Sequence, residues 1–263
     1  MCRMLLRTCT LLLCLAGLPS VAYARGPETG FLNRSLKLGG QEYRYQVYVP
    51  AGYTRDRAWP VVLFLHGSGE QGVDGLLQTE VGLGSAIRRF RDRYPAIVVF
   101  PQTRPDAAWA GTMADVALVA LDRTEKEFKI DRGREYLTGL SRGGSGTWYI
   151  AYRHPERFAA LLAVCARIRP TATTTDPVVP AKDGDAFTAL ASRLKRVPIM
   201  MVHGDADSTV PVEESRLLAA ALKNVNANFK YTELPGVNHN SWDAAYRSPD
   251  TPAWLLAQRR PAK

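Results

Sequence analysis

Two hydrophobic rhythms alternate along the chain. Short unbroken apolar runs recur at 61–65 (VVLFL), 96–100 (AIVVF), 135–140 (EYLTGL), 158–164 (FAALLAV), 198–204 (PIMMVHG) and 229–235 (FKYTELP). Runs of that length without polar alternation fit strands buried on both faces, as in a parallel sheet. Between them the spacing changes to three and four. In TMADVALVALDRTEKEFK the apolar residues stand at 113, 116, 117, 120, 121 and 128, and in PVEESRLLAAALKNV at 212, 217, 218, 221, 222 and 225. Each set draws one face of a helix. Ahead of all of them, Gly39 and Gly40 divide FLNRSLKLGGQEYRYQVYVP into two alternating runs, with Tyr43, Tyr45, Val47 and Val49 on one face. That pattern predicts an antiparallel hairpin at a sheet edge. Strand and helix alternating in this way predict an α/β fold, a mostly parallel central sheet with helices on both faces. No repeat or linker divides the chain. One segment breaks the rhythm: RIRPTATTTDPVVPAKDGD, 167–185, is rich in Thr, Pro and Asp. It follows a strand whose carboxyl end faces the expected ligand crevice, so it is either a pocket wall or a surface excursion.

The first 24 residues read differently. Arg3 and Arg7, an apolar stretch around Leu11 to Leu18, and small residues at Ala22 and Ala24 have the layout of a secretory signal cut after Ala24. The apolar stretch is too short to span a bilayer. Residues 25–263 then form the expected single α/β domain, secreted or periplasmic. Three of the four cysteines belong to the leader, and Cys165, inside FAALLAVCA, is expected to be a buried, inert thiol. The net charge is +9, two of it from the leader's arginines. The remaining arginines are scattered, as in AIRRFRDRYP and LASRLKRVP, on expected helices. They read as a solvated basic surface rather than a nucleic-acid site.

The chemistry centres on GLSRG, a G-x-S-x-G pattern between a strand and the helical stretch GSGTWYIAYRH. A strand turning straight into a helix strains the residue at its apex, and Gly139 and Gly143 leave room for the backbones that close around Ser141. The hydroxyl is exposed at a helix N-terminus, where amides and dipole favour developing negative charge. A base must come from four histidines. His154 sits at a helix end before a proline, and His66 and His203 end strands as loop braces. His239, in LPGVNHNSWDAAY, stands after the last strand, where the serine–acid–histidine order of such elbows places the base. VHGDADSTVP offers the acid: Asp207, further into the turn, is preferred over Asp205, which braces it, and Glu233 lies within a strand. Asp176, Asp183 and Asp185 are expected to be solvated. One oxyanion amide is that of Arg142; the other comes from HGSGEQG, from Ser68 or, next in order, Gly67. Gln102 and Trp109, in a loop after a strand, are candidate substrate contacts, while Trp148 and Trp242 read as packing residues. No phosphate-binding or H-E-x-x-H motif is present, and no cofactor or metal is implied.

The stretches LFLHGSGEQG, FPQTRPDAAW, YLTGLSRGGSGTWYIAYRHPERFAAL, VHGDADSTVPVEESRLLAAAL and YTELPGVNHNSWDAAY together resemble the α/β-hydrolase superfamily. More narrowly they resemble secreted serine esterases of the dienelactone-hydrolase, feruloyl-esterase and polyhydroxybutyrate-depolymerase-like groups. The resemblance spans most of residues 43–258. It implies an α/β-hydrolase fold with the N-terminal hairpin, a triad of Ser141, Asp207 and His239, and oxyanion donors at Ser68 and Arg142. It also implies a carboxylic-ester hydrolase that works through an acyl-enzyme on a small or polymer-attached ester. Arg142 stands where these groups often carry methionine, bringing a cation to the substrate entrance. The alternatives are a peptidase or thioesterase using the same triad, or a non-catalytic polysaccharide-binding protein on the same scaffold.

Overall fold

The computed structural model describes residues 27–261; the expected leader lies outside them. The hairpin comprises β1 (Gly30–Leu38) and β2 (Gln41–Val49). They are joined at Gly39 and Gly40, whose φ angles of 57° and 78° belong to the left-handed turn that glycine enters without strain. Then follow β3 (Trp59–Leu65), α1 (Leu83–Phe90), β4 (Ile97–Pro101), α2 (Thr112–Glu127), β5 (Ile130–Leu140) and α3 (Arg142–Arg153). The second half comprises β6 (Ala160–Val164), α4 (Ala186–Leu194), β7 (Ile199–Gly204), α5 (Glu213–Asn224), β8 (Phe229–Leu234), α6 (Trp242–Arg247) and α7 (Asp250–Ala257).

The strands form one sheet in the order β1-β2-β4-β3-β5-β6-β7-β8. The hairpin joins antiparallel to β4, and every pairing from β4 to β8 is parallel. This is the α/β-hydrolase architecture expected from the sequence. Alternate side chains build two cores. Val61, Leu63 and Leu65 face α2 to α5 with Trp148 and Leu190, on the side that also takes Tyr43, Tyr45, Val47 and Val49. Val62 and Phe64 face α1, α6 and α7 with Tyr246 and Leu255. Emptying one such position, Phe64 for example, costs about 3–5 kcal/mol. The apolar faces of α2 and α5 are largely those anticipated, except that Leu217 stays 42% exposed.

Two features of this sheet position chemistry. The chain steps from β3 to β4 on one side and to β5 on the other, so the loops leaving β3 and β5 diverge and open a crevice above them. The register also aligns the strand ends: Leu65 pairs with Gly139, Leu140 with Val164, Val164 with Val202, and Gly204 with Leu234. The loops after β3, β5, β6, β7 and β8 therefore leave from one rim.

Candidate active site

Ser141 is the apex of the turn between β5 and α3, with φ 52° and ψ −117°, a strained conformation for any residue with a Cβ. Sterics enforce the pattern around it. A Cβ on Gly143 would meet Leu65 O at 1.9 Å, and one on Gly139 would meet Gly143 O at 2.2 Å. The elbow is thus packed backbone to backbone beneath the half-buried serine.

The loops after β7 and β8 are laced together before they reach Ser141. Asp205 N–H donates to Leu234 O and Ala206 N–H to Val237 O. The Asp205 carboxylate accepts from Gly236 N–H at 2.7 Å, and Asn238 Oδ1 accepts from Ser208 N–H at 3.0 Å. Asp205 is therefore the turn brace it was expected to be. The lacing sets Asp207 and His239 in line with the serine. Ser141 Oγ–H donates to His239 Nε2 at 2.8 Å, and His239 Nδ1–H donates to Asp207 Oδ2 at 2.7 Å. A carboxylate only accepts, so it assigns the proton to Nδ1 and leaves Nε2 free to take one. Asp207 is fully buried, while His239 keeps 19% of its side chain exposed. Burial pushes the Asp207 carboxyl up, yet hydrogen bonds from His239, Val210 and Thr209 outweigh it and hold the group below its ordinary range.

A second histidine converges on the same carboxylate, a contact the sequence reading did not anticipate. His203 lies within 3.2 Å of Asp207 Oδ2 and 3.0 Å of Val210 O, both acceptors, so its Nε2 carries hydrogen. Its Nδ1 accepts from Ser215 Oγ–H at 2.7 Å. Burial lowers its pKa against the pull of the Val210 carbonyl and Asp207. The signal was the i, i+4 spacing of His203 and Asp207 across a strand end. His66 is a brace as expected: Nδ1–H donates to Gly67 O, Nε2 accepts from Thr103 N–H, and burial lowers its pKa to about 4. His154 occupies the C-cap of α3.

The oxyanion candidates sort themselves by what their amides already do. Gly67 N–H is taken by Glu70 Oε2 at 2.9 Å. The amides of Ser68 and Arg142, each the first residue of a helical turn, have no partner among the described residues. Ser68 and Ser141 border one cavity of about 470 Å³, with Trp109, Arg142 and the 167–178 stretch. The irregular loop is thus a pocket wall. Trp109 lies at the base of the cavity, buried, with Nε1–H donating to His66 O.

One candidate substrate contact needs correction, and the remaining candidates can be placed. Gln102 does not reach the cavity: it is 3% exposed, donates to Glu70 O and accepts from Gly75 N–H, holding the 70–75 loop shut. Asp183 and Asp185 are exposed as expected, the first accepting from the Tyr152 hydroxyl and the second capping α4 through Thr188 N–H, whereas Asp176 is half-buried and accepts from the Tyr149 hydroxyl. Glu233 pairs with Arg216, away from the site. Trp148 is core, whereas Trp242 sets its edge against the His239 ring, 5.4 Å between centroids. A second cavity, about 540 Å³, lies by the hairpin and is not bordered by Ser141; its Arg34 is held by Glu127.

Cys165 is buried at the end of β6, its pKa pushed up to about 12 by burial. Its sulfur, an Asp207 oxygen and a His239 nitrogen lie within 4.8 Å of one another. The carboxylate and imidazole are bonded to each other and the thiol is protonated, so this trio lacks the open, deprotonated donors a metal requires.

Known proteins share this fold. A thermostable esterase of solved structure superposes with a TM-score of 0.75 at 30% identity, covering 88% of this chain and 63% of its own. A ferulic acid esterase from the anaerobic fungus Anaeromyces mucronatus gives 0.64 at 19% identity over 87% of this chain and 90% of its own, a likeness of fold. An uncharacterized secreted protein of Arthroderma benhamiae is 26% identical over 203 residues, 68% of this chain. The chain spans only 21% of that relative's length. The model of the prolyl oligopeptidase family matches residues 109–257, more than half of the sequence. With its elbow, its mostly parallel sheet and that match, the chain belongs to the prolyl oligopeptidase family and has the α/β-hydrolase fold.

Proposed function

We propose that the protein is a secreted carboxylic-ester hydrolase in which Ser141, His239 and Asp207 act as the triad. The observation that carries this reading is His239 bridging Ser141 Oγ and Asp207 Oδ2 at 2.8 and 2.7 Å beside an open cavity. His239 Nε2 takes the serine proton as Oγ attacks the acyl carbon, and Asp207 stabilises the imidazolium. The developing oxyanion is received by the amides of Ser68 and Arg142, the latter at the N-terminus of α3; losing one such donor costs on the order of 100- to 1,000-fold in rate. His239 then protonates the leaving alcohol, and water, activated through the same nitrogen, resolves the acyl-enzyme. Export is supported by the layout of residues 1–24 and by the secreted Arthroderma relative. Among the described residues no helix is long and apolar enough to cross a membrane.

Hydrolysis of p-nitrophenyl acetate, butyrate and octanoate and of methyl ferulate, by the protein and by Ser141→Ala, tests the reading. Turnover should fall by at least about 10⁴-fold in the variant, with the circular dichroism spectrum retained. No turnover by either protein, together with no labelling by a fluorophosphonate probe, would sink it. The family match favours a second reading, peptide-bond cleavage, and a proline-containing peptidyl aminomethylcoumarin measured alongside separates the two.

A further inference from the structure

The cavity beside Ser141 is bordered by Arg142, Arg167 and Arg169, against the carboxylates of Asp106 and Asp176. These charges are not equally available. Arg169 Nε–H donates to the buried Glu214 at 2.7 Å, and Asp176 is matched by Arg153 at 3.1 Å. Arg142 and Arg167 have no carboxylate partner among the described residues. Their side-chain hydrogen bonds run to backbone carbonyls, Arg142 to Ala107 O at 3.2 Å and Arg167 to Thr209 O at 3.0 Å. Such bonds orient a guanidinium and leave its charge uncompensated.

Both arginines are rooted close to the serine. Arg142 is the next residue on the elbow, and Arg167 N–H donates to Ser145 Oγ, one helical turn along α3 from Ser141. Both line the concave cavity, where a charge is screened less than on open surface. The opposing Asp106 stands exposed at the rim, beside the carbonyl that Arg142 holds. From this arrangement we infer that the preferred ester carries a second, anionic group, a carboxylate in its simplest form, which the Arg142 and Arg167 guanidiniums receive while the ester carbonyl lies over Ser141. A guanidinium fork matches a carboxylate in geometry as well as charge. The inference rests on the esterase reading above and adds the substrate class to it.

Two matched pairs of esters test it, followed by pH-stat. Monoethyl adipate against ethyl hexanoate places the carboxylate on the acyl side, and 4-acetoxybutyrate against butyl acetate places it on the alcohol side. In at least one pair the anionic ester should be preferred in kcat/KM by on the order of 10-fold at low salt. The preference should shrink in 0.5 M NaCl, at roughly a third of the low-salt screening length. The pair that responds identifies which side of the ester faces the arginines. Arg167→Gln and Arg142→Gln should each pull that ratio towards 1, and Asp106→Asn should raise it about twofold. The ratio is read within each variant, so a loss of folded protein cancels. Turnover of the neutral esters with no anionic preference in either pair overturns this inference alone, as does a preference that both arginine variants retain. Absence of turnover of all four esters by protein that hydrolyses p-nitrophenyl acetate overturns this inference alone, and absence of turnover of p-nitrophenyl acetate as well, with no fluorophosphonate labelling, overturns the esterase reading and this one with it.

Discussion

Both sides of the cavity are made of charged residues on loops, yet their charges are used in opposite ways. The Asp207 carboxylate takes Thr209 N–H and Val210 N–H at 2.8 Å on one oxygen and His239 and His203 on the other. Both oxygens of that carboxylate are occupied, and the loops carrying it are tied to each other by backbone bonds. Across the cavity, Arg142 and Arg167 hold only carbonyls, and the threonines at 171–174 are exposed and bonded among themselves. Preorganised dipoles cost nothing to reorganise when charge develops, so the satisfied side suits the chemistry common to all substrates. Uncompensated charge gains from a ligand, so the unsatisfied side suits choosing among them.

The comparison breaks first at Asp207. In Asp207→Asn the side-chain oxygen keeps Thr209 and Val210, which turns the amide NH₂ towards His203 Nε2–H and His239 Nδ1. The donor of His203 is left facing a donor, and His239 must accept at Nδ1, placing its proton on Nε2 against Ser141. That tautomer cannot take the serine proton, and kcat should drop by about 10⁴-fold. Asp205→Asn is the matched control: its carboxylate receives Gly236 N–H in an exposed turn, and its kcat should stay within a few-fold. Steady-state kinetics on p-nitrophenyl acetate decide the matter. A loss below 10-fold for Asp207→Asn, or equal losses for both, would remove Asp207 from its role.

Glu214 tests the other side. It is 1% exposed and pins the root of the 167–185 wall, with Oε2 accepting Ile168 and Arg169 N–H and Oε1 accepting Arg169 Nε–H. Glu214→Gln keeps an oxygen for the two backbone donors but sets NH₂ against the guanidinium, freeing the Arg169 side chain. Since the triad loops do not depend on that pair, KM for an ester that fills the cavity should rise about 3- to 10-fold with kcat nearly constant, the size of one ordinary hydrogen bond. A fall in kcat with KM unchanged would mean that wall and triad are mechanically one unit.

How far the sequence could be read follows the same division. The buried strands announced themselves because parallel strands covered on both faces must be uniformly apolar, and the elbow because only glycine admits carbonyls within 2.2 Å of a Cβ position, as at Gly139 and Gly143. Gln102 was misjudged for a physical reason: a buried amide bracing a loop and an amide facing a ligand have the same local sequence, and only the partners differ. The same holds for Asp176, whose partners Arg153 and Tyr149 lie more than 20 residues away on α3. His203 was correctly taken for a brace, but its position on Asp207 depends on a turn whose course no periodicity describes.

The smallest expected effect separates the rim from the middle of the same strand. Glu135 precedes Ser141 on β5 by roughly 20 Å of extended chain. Burial, and next the charge of Glu125, push its carboxyl up to about 7, although Arg157 at 3.2 Å pulls the other way. As pH rises from its unfolded value of 4.5 towards 7, the unfolded chain releases this proton first. The unfolded state is then favoured, so stability declines across that window and levels off above it. Glu135→Gln cannot release a proton, and Arg157 keeps Asp122 and Glu125. The Tm of the variant relative to the parent should therefore climb by about 2–6 °C between pH 4.5 and pH 8. Its kcat/KM profile on p-nitrophenyl acetate should overlay the parent's, because no charge at the rim has changed. Parallel Tm curves would place the Glu135 proton elsewhere. A shifted activity profile would mean instead that the middle of β5 and its rim end are coupled, and that the triad's electrostatics extend well below the rim.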